Sequence, residues 1–288
     1  MQFRGLQALA RSVDAMPRTG PLAIILVEDD VEVESTLRHH QRAGFQHLIA
    51  FMPTSFELPH DLRDVVLRID YDVTAEGAAE AAVNWVVASV PEGTWVFYCY
   101  NAEYLFYPFC ETRTVGEMLA FHAEERRDAM LTYVVDLYAD DLQMCPDAVS
   151  LDRAHLDHTG YYALARPGAD GHPKERQLDF FGGLRWRFEE HVPTARRKID
   201  RISLFKTKPS LKLLANHTFN DEEYNTYACK WHHNITAAIC SFRTAKALKL
   251  NPGSRYDINT LTWHNSTPFE WHSRQLLDLG LMEPGQWF

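Results

Sequence analysis

A chain of 288 residues with 46% hydrophobic content is long enough for one large domain or two small ones and apolar enough for a sizeable core. Its 29 Lys and Arg against 39 Asp and Glu leave a net charge of −10, which argues against broad electrostatic attraction to nucleic acid or to an anionic membrane. No apolar run reaches the roughly 18 residues of a membrane span, residues 1–20 lack the pattern of a secretory signal, and the five cysteines have no repeated spacing. A cytoplasmic protein with reduced thiols and no transmembrane segment is expected, with peripheral membrane contact left open.

In chain order, residues 22–27 form a short apolar run ending at Glu28, Asp29 and Asp30, the outline of a buried parallel strand. Asp29, with Glu32 three residues on, reads as the cap of a helix that places Val33, Leu37 and His40 on one face and stops at Gly44. Residues 46–51 and 65–69 read as the next two strands, the latter leading into Asp70, Tyr71 and Asp72. Thr74 is expected to begin an alanine-rich helix that Pro91 ends, with Ala78, Ala82 and Trp85 on a packing face. A fourth apolar strand from Thr94 runs without a break into Asn101 and Glu103. Thr114 and Glu117 have capping-box spacing for a helix through about residue 125, followed by a strand over 129–138; Asp136, Asp140 and Asp141 are read as following that strand, either facing the cleft at the strand ends or lying in a solvated loop.

This alternation predicts an α/β fold, a mainly parallel central sheet flanked by helices. Residues 166–177, with two prolines and turn-forming Gly and Asp, are expected to form an exposed loop after the α/β half. The whole chain, 1–288, is read as a single domain, with residues 20–150 as its sheet half and 151–288 as a polar, aromatic second half.

In open α/β sheets ligands bind just past the carboxyl ends of the strands, which places Asp29, Asp30, Asn101 and Glu103 for ligand contact. Helix capping explains the two aspartates equally well, and a solvated strand end explains Asn101 and Glu103. Asp70 and Asp72 form the literal Asp-x-Asp of the chain, with a surface turn as the alternative. Farther on, His217 and Asp221 to Glu223 are followed by Cys229, Trp231, His232 and His233, residue types that zinc accepts but without a second matching pair. A basic run, Arg185, Arg187, Arg196, Arg197, Lys198, Arg201, Lys206, Lys208 and Lys212, suits a phosphate-bearing ligand or, equally, an exposed basic face.

The order of these segments resembles the glycosyltransferase family 2-like proteins. The stretch from Val27 through Gly44, Phe45 and His47 is similar to that family's opening strand, helix and Gly-Phe turn, and residues 95–108 are similar to the strand that carries its Asp-x-Asp-Glu motif. Ala238 to Arg243 is similar to the closing Leu-Leu-His-Phe-Lys stretch. The resemblance implies a Rossmann-like nucleotide-sugar transferase fold of the GT-A type, with residues 20–150 binding the nucleotide sugar and 151–288 forming the acceptor side.

It also implies transfer of a sugar from a nucleotide-sugar donor to a saccharide or surface-glycan acceptor. The alternative is a catalytically inactive binding or scaffold protein that retains the fold. Asp221, Glu222 and Glu223 are then candidates for the carboxylate that deprotonates the acceptor hydroxyl, in competition with Glu189 and Glu190. Asp29, Asp30, Asp70, Asn101, Glu103, Lys206, Lys208 and Arg243 are candidates for nucleotide contact. This chain departs from the family at its metal positions. The paired aspartates fall on Tyr100 and Ala102 in one register or on Asn101 and Glu103 in the other, and Ser241 stands at the closing histidine. The expectation is therefore diphosphate binding without Mn or Mg, with Arg243, Lys206 or Lys208 supplying the charge, and Mn or Mg as the alternative.

Overall fold

The computed structural model describes residues 1–10, 16–226 and 234–287. In chain order its elements are β1 (Gln2–Phe3), α1 (Leu6–Ala10), β2 (Leu22–Leu26), α2 (Val33–Arg42), β3 (His47–Met52), β4 (Val66–Asp70), α3 (Ala78–Ser89), β5 (Trp95–Tyr100), β6 (Glu103–Phe106) and α4 (Val115–Glu124). They continue with β7 (Ala129–Ala139), β8 (Ala154–Asp157), β9 (Tyr162–Pro167), β10 (Pro173–Phe181), α5 (Gly183–Arg187), β11 (Asp200–Lys206), β12 (Ala237–Ser241), α6 (Arg243–Leu250), β13 (Ser266–Pro268) and α7 (Ser273–Asp278). The protein is α/β, with a mixed, mostly parallel sheet flanked by helices. Among the described residues no helix is long and apolar enough to cross a membrane.

The chain divides into two compact units that interleave along the sequence. The first comprises Met1–Tyr104, Thr112–Met130 and Ile202–Asn225, and the second Leu105–Glu111, Leu131–Arg201 and Thr226–Phe288. Residues 202–225, from the second half of the sequence, thus belong with the first unit.

In the first unit the strand order is β1-β4-β3-β2-β5, all parallel, with β11 antiparallel on the far side of β5. β2 is Leu-Ala-Ile-Ile-Leu and wholly buried, as a strand covered on both faces must be. Chain order and spatial order part company at β2: β3 and β4 are laid down on one side of it, and β5 on the other. α2 turns Val33, Thr36, Leu37 and His40 inward. Its start differs from the sequence expectation, because Glu32 is the N-cap, in a left-handed conformation and without a side-chain cap. Asp29 instead accepts the Val31 N–H at 3.1 Å in a local turn. The capping box of Thr114 and Glu117 forms as expected. α3 begins at Ala78 rather than Thr74, because Asp72 holds the Thr74 N–H (2.9 Å) and hydroxyl (2.6 Å) in a turn that competes with the first helical turn.

In the second unit β7 pairs in parallel with β12, Ser241 opposite Asp136, and antiparallel with β8, which also carries β13. Tyr138, Ala148, Leu184, Ala245, Leu248, Ile258 and Leu261 form a core cluster there. The exposed loop expected over 166–177 is a β-hairpin, β9 with β10, whose turn is confined to 168–172. Arg166 explains the difference: it donates to Asp179 (2.8 Å) and Asp200 (3.1 Å), fixing the hairpin by buried charge pairs that turn-residue statistics do not register.

His40 and His122 are buried in the first unit, and desolvation lowers their pKa values from 6.5 to about 3 and about 4. Both stay neutral in the fold while the unfolded chain takes up protons below its own pKa near 6.5. Stability is therefore undiminished above that pH and falls as pH drops toward 4 and 3. The urea midpoint should decrease between pH 7 and pH 5, and His40→Phe should make that decrease smaller; an identical decrease in the variant would contradict the assignment.

Candidate functional site

The first unit offers its carboxyl-end edge. Asn101, fully buried just past β5, spans to the exit of β2: its Nδ2 donates to Asp29 Oδ1 (2.6 Å) and to the Val31 carbonyl (2.8 Å), and its Oδ1 accepts the Glu28 N–H (2.9 Å). The chain then reverses through Ala102, which adopts φ 58° and donates its N–H to Thr36 Oγ1 at 2.9 Å. Glu103, also fully buried, accepts the Tyr100 N–H at 2.9 Å. Asn101 and Glu103 are thus internal fasteners of the strand exit rather than ligand-facing groups, because their polar atoms are spent on backbone that would otherwise be orphaned. Asp29 is half-buried and Asp30 exposed, so these two remain at the surface of the exit.

The donor set does not fit a divalent cation. A hard ion takes several convergent carboxylate or carbonyl oxygens, whereas Glu103 faces the interior and Asn101 is engaged on three bonds. Asp70 accepts from Arg68 (3.0 Å) and from Gln2 (3.0 and 3.1 Å), and Asp72 is held by Thr74, so this Asp-x-Asp is not a metal pair either. Among the described residues no group of three His, Cys, Asp or Glu side chains converges for a metal.

Beside the β4 exit lies an open cavity of about 610 Å³ lined by Gln2, Arg4, Gly5, Thr54 and Asp70, at the carboxyl ends of β1, β3 and β4. Arg4 is its exposed cation. Sequence reasoning missed Arg4, Gln2 and Thr54 because β1 is two residues long and carries no periodic signal.

Lys206, Lys208 and the carboxylates at 221–223 are at the other end of this sheet. β11 is antiparallel to β5 with Lys206 opposite Trp95, so the chain leaves β11 at the amino end of β5. At about 3.3 Å per residue, roughly 17 Å of strand separates Trp95 from Tyr100. Lys206 pairs with Asp128 (3.6 Å), Lys208 with Asp221, and the buried Arg127 with Glu223 (2.7 Å). The expectation that Lys206, Lys208, Asp221, Glu222 and Glu223 serve the same ligand as Asp29 is corrected accordingly. His217 bonds the Tyr98 hydroxyl, midway along β5, at 3.0 Å. Cys229, Trp231, His232 and His233 lie outside the described residues.

In the second unit the basic run is largely consumed by acids. Arg187 donates to Asp157 (3.0 Å), Lys198 pairs with Asp179 (2.7 Å) and Arg197 with Glu189 (3.0 Å), while Glu190 is exposed. Arg243 opens α6, its N–H donating to Ser241 Oγ at 3.2 Å. Asp136 is not in a loop after β7 but buried within it, with Arg185 Nε 3.6 Å away and, among the described residues, no hydrogen-bond partner for either oxygen. Desolvation raises its pKa. The hydroxyl of Tyr161 is likewise buried and unpartnered among the described residues. Gly182 and Gly183 make room for both groups: a Cβ on Gly183, at φ 61°, would lie 2.9 Å from Asp136 Oδ2, and one on Gly182 2.3 Å from the Tyr161 ring. The Gly-Gly pair before Arg185, and an aspartate inside the apolar run of β7, are the sequence signals for this arrangement. Asp140 is paired with Arg153 at 2.7 Å.

No family model matches the chain, and no curated protein matches it.

Replacing Asn101 by Ala removes three part-buried hydrogen bonds, those to the Glu28 N–H, Asp29 and the Val31 carbonyl. At about 1–3 kcal/mol for a buried group left unsatisfied, Asn101→Ala should lose roughly 2–4 kcal/mol of unfolding free energy by urea titration. A loss below about 0.5 kcal/mol, the range of ordinary surface substitutions, would show that the fastener is not structural.

Proposed function

We propose that the protein is a glycosyltransferase of the GT-A type that moves a sugar from a nucleotide-sugar donor to a saccharide or glycan acceptor, with the nucleotide held at the carboxyl ends of the first unit's strands. The observation that carries this reading is the reversal of strand order at β2: β3 and β4 lie on one side, β5 on the other, and Asp29 and Asp30 stand at that reversal. Such switch points are where open α/β sheets bind nucleotides. The cavity bordered by Arg4, Thr54 and Asp70 opens on the same strand ends and supplies a cation for phosphate. The sequence resemblance to family 2-like glycosyltransferases supplies the reaction class.

In this reading the nucleotide is bound without a divalent ion, because Asn101 and Glu103 are committed to the backbone. That same commitment favours a second reading, a binding protein that keeps the fold and has lost transfer.

Calorimetric titration with UDP and GDP, first in EDTA and then in Mn²⁺, should show binding that EDTA does not abolish. Arg4→Ala should weaken it by about 1.5–3 kcal/mol, the range for a hydrogen bond to a charged group. Binding that depends on Mn²⁺ would overturn the metal-free mechanism, and no binding of either nucleotide would overturn the donor assignment. Nucleotide binding without release of the nucleotide product from any sugar donor would favour the binding protein.

A further inference from the structure

We infer that the turn following α6 is a docking surface for a lipid bilayer containing anionic lipids, with Leu250 and Tyr256 entering the headgroup region and Lys249 and Arg255 facing the lipid phosphates. The distribution of acids in the sequence singles this segment out. Asp and Glu make up 39 of the 288 residues, yet residues 224–256 contain none, and Arg243, Lys246, Lys249 and Arg255 all fall near the end of that stretch. In a chain of net charge −10 this is a local inversion of the protein's charge.

Two large apolar side chains project from the same turn. Tyr256 is 73% exposed and Leu250 55%. Single exposed apolar residues are ordinary, but these two flank one closed and anchored loop. The Arg255 N–H donates to the Asn251 carbonyl at 3.0 Å, which brings the two ends of the turn together. Ser254 Oγ donates to the Leu248 carbonyl (2.7 Å), and Lys249 Nζ to the carbonyls of Arg255 and Ile258 (2.8 Å each). Leu248 and Ile258 belong to the core cluster of the second unit, so the turn is fixed on both sides and its exposed side chains are held outward. Between them Asn251, Pro252 and Gly253 are exposed and uncharged.

The cations sit among these apolar groups. The Arg255 guanidinium lies 4.5 Å over the Tyr256 ring, and among the described residues neither Arg255 nor Lys249 has a carboxylate partner. Asp257, exposed after Tyr256, is the first acid beyond them. The size of the patch favours a bilayer over a protein. A stable protein interface takes about 800 Å² from each partner, more than two side chains and a turn can bury. A bilayer interface accepts a small projecting apolar tip backed by cations, and a tyrosine suits it because the ring is apolar and the hydroxyl stays wet. The acids elsewhere in the chain are repelled by the same anionic surface, which favours approach through this turn.

This inference concerns one turn of the second unit and stands whether or not the first unit binds a nucleotide. The intact protein should cosediment at low salt with vesicles of phosphatidylcholine containing roughly one-third phosphatidylserine, and much less with phosphatidylcholine alone, because the anionic lipid supplies the potential that the cations meet. Arg255→Glu changes two charges at the turn and, at about five-fold per charge, should weaken binding by roughly thirty-fold. Leu250→Ser combined with Tyr256→Ser should abolish cosedimentation, with thermal midpoints confirming that the variants fold. No cosedimentation with the anionic vesicles, equal binding to phosphatidylcholine alone, or binding unchanged in the folded variants would overturn the inference. Self-association in solution that the double variant loses, without vesicle binding, would also overturn it and assign the turn to a second copy of the chain. Vesicle binding by protein that binds neither UDP nor GDP would remove the donor assignment alone.

Discussion

A single buried amide holds the most consequential junction of the first unit. Asn101 ties the exit of β5 to the exit of β2, two parallel strands that are neighbours in space but separated in the chain by β3, β4 and two helices. A parallel pair cannot be closed by a short turn, so here a side chain rather than a hairpin joins the two strand exits. The consequence continues along the chain. Ala102 turns back in a left-handed conformation secured by Thr36, and Glu103 folds inward onto Tyr100. The residues that look most reactive in the sequence are thereby buried, and Asp29 and Asp30 are left as the acids at the surface of the switch point.

β2, β3, β4 and β5 were legible because each is an apolar run bounded by turn residues, and the capping box at Thr114 was legible because it is a local pairing of side chain and backbone. The start of α2 was not. Asp29 has the composition of a helix cap, but the nearby Asn101 amide and a local turn compete for its carboxylate, and Asn101 is distant in sequence. β11 was not read at all, because its residues stood out in the sequence as part of a basic run, and as a strand antiparallel to β5 it carries Lys206, Lys208 and the 221–223 carboxylates to the opposite end of the sheet from Asp29. Part of the candidate site is therefore at the other end of the sheet from Asp29.

In the second unit, sequence showed the charges but not their pairing. Arg187 and Lys198 read as part of a cationic face, yet each is set against an acid contributed by another segment, Asp157 and Asp179, and Arg166 is set in the same way against Asp179 and Asp200. Breaking such buried pairs from one side leaves an uncompensated charge, so these arginines act in the fold rather than as a phosphate-binding surface. Asp136 is likewise buried beside the Gly182–Gly183 turn, set against Arg185 at 3.6 Å, while the Tyr161 hydroxyl next to it has no hydrogen-bond partner among the described residues.

The central claim is that a nucleotide binds at the carboxyl ends of the first unit's parallel strands and not at the end where β11 delivers its lysines. Amide hydrogen exchange of the intact protein with and without UDP or GDP tests this directly. Protection should concentrate in residues 27–31, 53–56 and 70–72, with residues 206–223 exchanging as in the free protein. Protection confined to 206–223 would contradict the claim and move the ligand to the opposite edge of the sheet.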